Sequence, residues 1–228
     1  MSIWSLIFPR KCVGCREFIA GDSVFCPVCE AKYERMKRAF CKKCGREHVM
    51  CRCKATKLAG IDMPIEERHL FAYDSELSRT IIYKLKRKNV SSLQKFLAHE
   101  LVRLTREELK GRGEAVVSYP PRAKSAVREY GFDHAKILAE GVACELGLTL
   151  AEAFERGESE KQQKTLSAKE REENVKNAYF AAENADLTGK TLVIMDDVVT
   201  SGSTAARLCT LAHEKGCARI VLISAAKT

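Results

Sequence analysis

Apolar positions along the chain fall into two alternating patterns, short buried runs and stripes at helical spacing. The clearest run is Leu192–Met195, preceded by the turn signal Gly189-Lys190, and it predicts a short buried strand. Ala205, Leu208, Leu211 and Ala212 then recur at helical spacing, so a helix is expected to begin near Ser203 or Thr204. Upstream, a linker over Lys54–Pro64 leads to an expected strand at His69–Tyr73. Leu77, Ile81 and Leu85 share one face of a following helix, capped by Asp74 or Ser75. A second helix is expected over Ser92–Lys110, with Leu93, Phe96, Leu97, Leu101 and Leu104 as its core stripe. Ala115–Tyr119 predicts a buried strand stopped by Pro120-Pro121, and Phe132–Glu145 a helix with Ile137, Leu138 and Val142 inward. Ala178–Ala181 reads as an edge strand and Arg219–Ser224 as the last strand. Strands alternating with helices over residues 115–224 make this an α/β chain with a parallel sheet. Residues 156–177 are polar and charged and too long for a tight connection; a closing segment, a surface helix and disorder all fit them.

The chemistry concentrates where the clearest strand ends. Asp196 and Asp197 follow Met195, and Thr200-Ser201-Gly202-Ser203-Thr204 lead into the helix. Free N–H groups and the dipole at a helix start favour an anion. Gly202 lets backbone approach a ligand, and the hydroxyls of Thr200, Ser201, Ser203 and Thr204 add donors, which suits a phosphate. An aspartate pair repels phosphate unless it accepts from hydroxyls or helps hold a divalent cation such as Mg²⁺. Together these features point to a sugar phosphate. A plain helix-capping loop is the competing reading of the aspartates taken alone. Two other phosphate motifs fail on order: Gly189-Lys190-Thr191 precedes its strand and has Asn184 where a Walker loop needs glycine. Gly111-Arg112-Gly113 lacks the third glycine of a dinucleotide fingerprint. After the Ala115–Tyr119 strand, Arg122 and Lys124 could meet a diphosphate or be solvated charge.

At 228 residues the chain has room for a small domain, expected over 1–58, and a larger one over 59–228. No apolar run reaches the ~20 residues that span a bilayer. The start, MSIWSLIFPRK, has no basic residue before its apolar patch and no cleavage site after it, so a cytoplasmic location is expected. Eight of the 11 cysteines lie between Cys12 and Cys53 in close pairs, which favours metal over disulfides. Cys12, Cys15, Cys26 and Cys29 form two C-x-x-C pairs; Cys41 and Cys44 repeat the spacing, and Cys51 and Cys53 form C-x-C. Sequential pairing gives two Zn²⁺ sites, with interleaved pairing and a degenerate second site as alternatives. Four thiolates leave no open position, so such zinc is structural. Gly14 and Gly45 lie inside two knuckles, where a positive φ is often needed.

The formal net charge is +9, and residues 1–58 carry 13 Lys and Arg against 5 Asp and Glu. Lys32, Arg35, Lys37, Arg38, Lys42, Lys43 and Arg46, with Tyr33 and Phe40 among them, fit either a nucleic-acid surface or a solvated face. The helix after Tyr73 adds Arg79, Lys84, Lys86, Arg87 and Lys88.

The Asp-Asp loop resembles the phosphoribosyl-diphosphate motif of type I phosphoribosyltransferases. With the cysteine pairs, Tyr73, Lys84-Leu85-Lys86, Gly131-Phe132, Ala135 and Leu138-Ala139, the chain resembles the ComF family over essentially its whole length. Gln163, Leu166-Ser167, Arg171, Asn174-Val175 and Phe180 fit the same pattern. Tyr130-Gly131-Phe132-Asp133-His134 stands where the family usually has Arg-Gly-Phe-Asn-Gln, and Tyr119-Pro120-Pro121 where it usually has Pro-Val-Pro. The resemblance implies a type I phosphoribosyltransferase-like parallel-sheet domain behind a small zinc ribbon. It implies phosphoribosyl diphosphate with Mg²⁺ on Asp196, Asp197 and Thr200–Thr204. It also implies single-stranded DNA as a partner in natural transformation, beside proteins of the DNA-uptake machinery. Phosphoribosyl transfer to a nucleobase or amine, with Asp196 and Asp197 stabilising charge at the anomeric carbon, is the alternative, as is a ligand-sensing regulator. On this two-domain reading, losing metal from the cysteine pairs unfolds the N-terminal region and spares the ligand site.

Overall fold

A computed structural model describes residues 10–19, 21–157 and 177–228. The segment containing Gln163, Leu166, Ser167, Arg171, Asn174 and Val175 lies mostly outside them, as does its expected role in closing over a site.

The N-terminal region has two short antiparallel strands, β1 (Arg10–Lys11) and β2 (Phe18–Ile19), and a helix, α1 (Pro27–Arg38). Two 3₁₀ turns follow, His48–Met50 and Thr56–Leu58. Next come β3 (Ile65–Ala72), α2 (Glu76–Arg87), α3 (Ser91–Leu109) and β4 (Ala115–Ser118). The chain continues through α4 (Lys124–Tyr130), α5 (His134–Leu146), β5 (Thr149–Leu150) and β6 (Phe154–Arg156). It ends with β7 (Tyr179–Ala181), β8 (Thr191–Val199), α6 (Ser203–Glu214) and β9 (Arg219–Lys227).

Five strands form one sheet in the order β3-β9-β8-β4-β5, and every neighbouring pair is parallel. Parallel sheets are covered on both faces, and alternating residues of β8 and β9 show it. Val193, Met195, Val221 and Ile223 enter one apolar cluster with α1, α2, α3 and α5. Leu192, Ile194, Ile220 and Leu222 enter another with α6, the Thr56–Leu58 turn and the β6–β7 strand pair. The fold is the expected parallel α/β.

The first cluster also takes in the N-terminal region. Tyr33 on α1 stacks on Phe25 at 5.5 Å between ring centroids and meets Phe96 of α3 edge-on at 5.2 Å. Its hydroxyl donates to Glu100, as does the Lys37 ammonium. Tyr33 and Lys37 are therefore buried, and the basic surface expected there excludes them.

Several boundaries move. β3 begins at Ile65 rather than His69, because Glu67 and Arg68 are buried with ionic partners and join the ladder. β8 continues four residues past Met195, since its ladder with β9 runs on to Val199 opposite Lys227. Asp196 and Asp197 therefore lie within the strand. α4 was not anticipated; none of its residues is buried, so no apolar stripe announces it. Residues 179–181 pair with β6 in a separate two-stranded antiparallel sheet, not at the edge of the main sheet.

The cap of α2 is Ser75, whose hydroxyl accepts from the Ser78 N–H at 3.1 Å while the Ser78 hydroxyl accepts from the Ser75 N–H. Ser75→Ala is expected to cost about 1 kcal/mol, read as a lower urea midpoint with unchanged slope.

Candidate functional site

Adjacent residues of a strand point to opposite faces, and that separates the two aspartates. Asp196 lines a cavity of about 240 Å³ together with residues 198–205. Asp197, 3% exposed, sits with its Oδ2 3.1 Å from Lys86 Nζ on α2 and 3.0 Å from His134 Nε2 at the start of α5. Each aspartate also accepts the following backbone N–H, at 2.8 and 2.6 Å. Burial and the charge of Asp197 push Asp196 well above the usual carboxylate range. Burial would raise Asp197 too, but the hydrogen bond from His134 and the charge of Lys86 outweigh it and hold Asp197 low. The pair thus has unlike members: a charged, anchored Asp197 and an Asp196 whose ionisation a nearby cation would favour.

The turn after β8 is set by Gly202, whose φ of 84° favours glycine and whose added Cβ would lie 2.7 Å from that of Ala55. Gly202 O accepts from the Ala206 N–H to start α6, and the Ser201 and Ser203 hydroxyls lie 2.9 Å apart. The Lys57 N–H donates to Ser201 O at 3.1 Å, so the segment behind the cysteines supports this turn directly. The structure brings Asp196 and the Thr200–Thr204 turn into one cavity, whose lining does not include Asp197.

Residues 3–60 match the double zinc ribbon domain family, and residues 126–227 match the phosphoribosyl transferase domain family. The DNA utilization protein YhgH of Escherichia coli (strain K12) is 28% identical over 227 residues, 94% of this chain and 96% of that protein. YhgH of Salmonella typhimurium is 28% identical over 226 residues, with the same coverage. The chain joins a double zinc ribbon domain to a phosphoribosyl transferase domain, a ComF-like arrangement. Among solved structures, the B. subtilis glutamine phosphoribosylpyrophosphate amidotransferase overlays with a TM-score of 0.39 at 22% identity. That overlay covers 57% of this chain and only 25% of the larger enzyme. The fold assignment rests instead on strand order and the family matches.

The cysteines form two groups, paired sequentially: Cys12, Cys15, Cys26 and Cys29, then Cys41, Cys44, Cys51 and Cys53. Within each, all Sγ atoms lie within 4.8 Å of one another. Zn–S bonds of about 2.3 Å at tetrahedral angles place sulfurs about 3.8 Å apart. The Cys15–Cys26 and Cys44–Cys51 sulfurs are 3.7 and 3.6 Å apart, so both groups fit structural zinc. Gly45 has the expected positive φ of 67°. Gly14 does not; it is needed because a Cβ there would lie 2.6 Å from Cys29 Sγ.

The basic residues of α2 do not share one face. Arg79 donates to Asp74 O, and Lys84 donates to Val13 O at 2.7 Å, inside the seam with the first cysteine group. Lys86 reaches Asp197, Arg87 donates to the Tyr130 hydroxyl, and Lys88 is exposed at the helix end. Arg122 uses its backbone N–H on Asp133 and its guanidinium on the Lys86 and Phe132 carbonyls, 4.5 Å from the Tyr130 ring centroid. Lys124 is exposed on α4. Sequence reasoning missed His134 as a partner of Asp197, although the Asp133-His134 departure marked the position.

Proposed function

We propose that this ComF-like protein binds a phosphoribosyl diphosphate-like sugar phosphate with Mg²⁺ at the Asp196 loop and handles single-stranded DNA in natural transformation. The observation that carries the ligand reading is the shared cavity of Asp196 and the Thr200–Thr204 turn at a helix start. The turn's N–H groups and hydroxyls would hold the 5′-phosphate. Asp196 would accept from the ribose hydroxyls, with Asp197 fixed beneath it by Lys86 and His134. Mg²⁺ bound with the diphosphate would supply charge neutralisation there, favouring the ionised Asp196. Arg122 and Lys124 would lie on the diphosphate side. On this reading Lys86 serves the ligand site rather than a nucleic-acid surface.

The DNA role is supported by the name of the YhgH relatives, DNA utilization protein, and by exposed Arg79, Arg87 and Lys88. Phosphate contacts by such residues predict binding that weakens steeply with salt.

The test is calorimetric titration of phosphoribosyl diphosphate with Mg²⁺, with and without a single-stranded oligonucleotide. Asp196→Asn with Asp197→Asn is expected to lower affinity at least ten-fold while the chain still folds, read by far-UV circular dichroism and zinc content as in wild type. Equal affinity in wild type and variant would remove the ligand site from this loop.

A further inference from the structure

A cleft of about 480 Å³ lies where α1 of the ribbon region faces the start of α2, beside Cys15 and Cys29 of the first cysteine group. From α1 come Lys32, Arg35 and Met36, and from the facing wall Asp74, Glu76 and Leu77. The two walls are tied to each other and to the ribbon. The Ser75 hydroxyl donates to Met36 Sδ at 3.2 Å, and Lys84 of α2 donates to Val13 O at 2.7 Å. The cleft is therefore preformed, and a partner would bear little of the cost of ordering it.

Its walls carry opposite charge, and those charges are unmatched. Lys32, Arg35, Asp74 and Glu76 are all exposed, and none of the four has an ion-pair partner among the described residues. Lys37 on the same helix behaves differently: it is buried and pairs with Glu34 and Glu100. Val28, 64% exposed, precedes Lys32 by one turn, so residues 28, 32 and 35 form one stripe of α1. That stripe joins an uncovered apolar side chain to the cationic wall.

A surface with one cationic and one anionic wall is self-complementary. A two-fold axis sets each cationic wall against the anionic wall of the other copy, and every contact then occurs twice. A nucleic-acid strand would satisfy Lys32 and Arg35 but be repelled by Asp74 and Glu76, since like charges brought together at an interface oppose binding.

We propose that this cleft is the interface of a homodimer, in which Lys32 and Arg35 of each copy meet Asp74 and Glu76 of the other, with Val28 and Met36 packed beside them. The inference is independent of the ligand proposed for the Asp196 loop. An interface of one cleft and one helix stripe belongs to the smaller, transient class, below about 1,200 Å² in total. The dimer is therefore concentration-dependent, and it is expected to weaken at least about ten-fold between roughly 50 and 500 mM salt.

Sedimentation velocity of the full zinc-loaded chain over a concentration series tests this, with circular dichroism and zinc content per chain checking the fold of each variant. Wild type is expected to pass from monomer to dimer. Lys32→Glu with Arg35→Glu makes both walls acidic, and Asp74→Lys with Glu76→Lys makes both basic. Each variant alone is expected to dimerise at least about thirty-fold more weakly, because like charges now meet at every contact. Mixed one to one, the two variants are expected to form a heterodimer of near wild-type affinity. Wild type that stays monomeric throughout overturns the proposal. So does a dimer that either variant leaves intact, and so do two monomeric variants that fail to pair when mixed. Monomeric wild type whose affinity for a single-stranded oligonucleotide falls in the Lys32→Glu, Arg35→Glu variant would overturn it too, and would assign these cations to a strand.

Discussion

Glu108→Gln is expected to destabilise the protein by about 3–5 kcal/mol, a large share of the roughly 5–15 kcal/mol that holds a domain folded. Glu108 and Arg68 are each 1% exposed, and they pair directly across α3 and β3. Arg52, between two cysteines of the second group, adds bonds to both Glu108 oxygens at 2.7 and 2.9 Å. Arg68 also reaches Val49 O at 2.8 Å and Glu107 at 3.2 Å. Losing the one buried carboxylate leaves Arg68 charged in the core, which is the costly half of a broken buried pair. Urea denaturation at pH 7 measures the loss. The pH dependence has a defined sign. Burial raises the Glu108 carboxyl, but hydrogen bonds from Arg52 and Arg68 outweigh burial and hold it below its ordinary value of 4.5. A depressed folded value stabilises fully above the unfolded one and is lost as pH falls through the folded one. The gap between wild type and Glu108→Gln should therefore be widest near neutrality and close in acid. A gap independent of pH would mean that packing, not charge, underlies the effect. Replacing Arg68 and Glu108 together with apolar residues is expected to cost less than Glu108→Gln alone.

The same network explains what the sequence concealed. Glu66-Glu67-Arg68 does not read as strand because partners such as Glu108, Arg219 and Lys227 lie 40 residues or more away, on α3 and β9. Local pattern carries no record of such pairs. Lys86 was hidden for the same reason: a lysine on a helix reads as solvated until the fold sets Asp197 beneath it. By contrast, the β8–turn–α6 unit was legible because every step is local: an apolar run, small residues needing close backbone approach, then a helical stripe. The cysteine groups were legible because ligand spacing is itself the chemistry. Ser75 was legible as one of two cap candidates because a cap's partner lies only three residues on. The apolar run stopped being a guide at Asp196, since the backbone ladder that continues β8 is blind to side-chain polarity.

Losing metal from the second cysteine group is expected to loosen the Asp196 turn as well as the ribbon, contrary to the sparing expected from a simple two-domain reading. Structural zinc contributes on the order of 10 kcal/mol to the segment that binds it. Here the chain just after that segment packs directly on the Asp196 turn. Cys53 O accepts from Lys227 Nζ, which also pairs with Glu67 at 2.6 Å. Glu67 in turn accepts the Ala55 N–H at 2.6 Å, and two residues later the Lys57 N–H holds Ser201 O. Ala55 itself packs over Gly202, where there is no room for a Cβ. The first group is tied elsewhere, through Val13 to Lys84 and through Phe25 to the Tyr33–Phe96 cluster. Cys53→Ser should therefore accelerate amide exchange over Gly202–Ala206 at least ten-fold and weaken ribose 5-phosphate binding in proportion. Cys15→Ser should lower the thermal midpoint while leaving exchange in that turn within about two-fold of wild type. Exchange measured by mass spectrometry reads the turn whatever ligand it takes. If zinc content falls by one ion in Cys53→Ser and the turn still exchanges as in wild type, the ribbon is a separate folding unit. The contacts from Cys53 to Ser201 would then be packing without coupling.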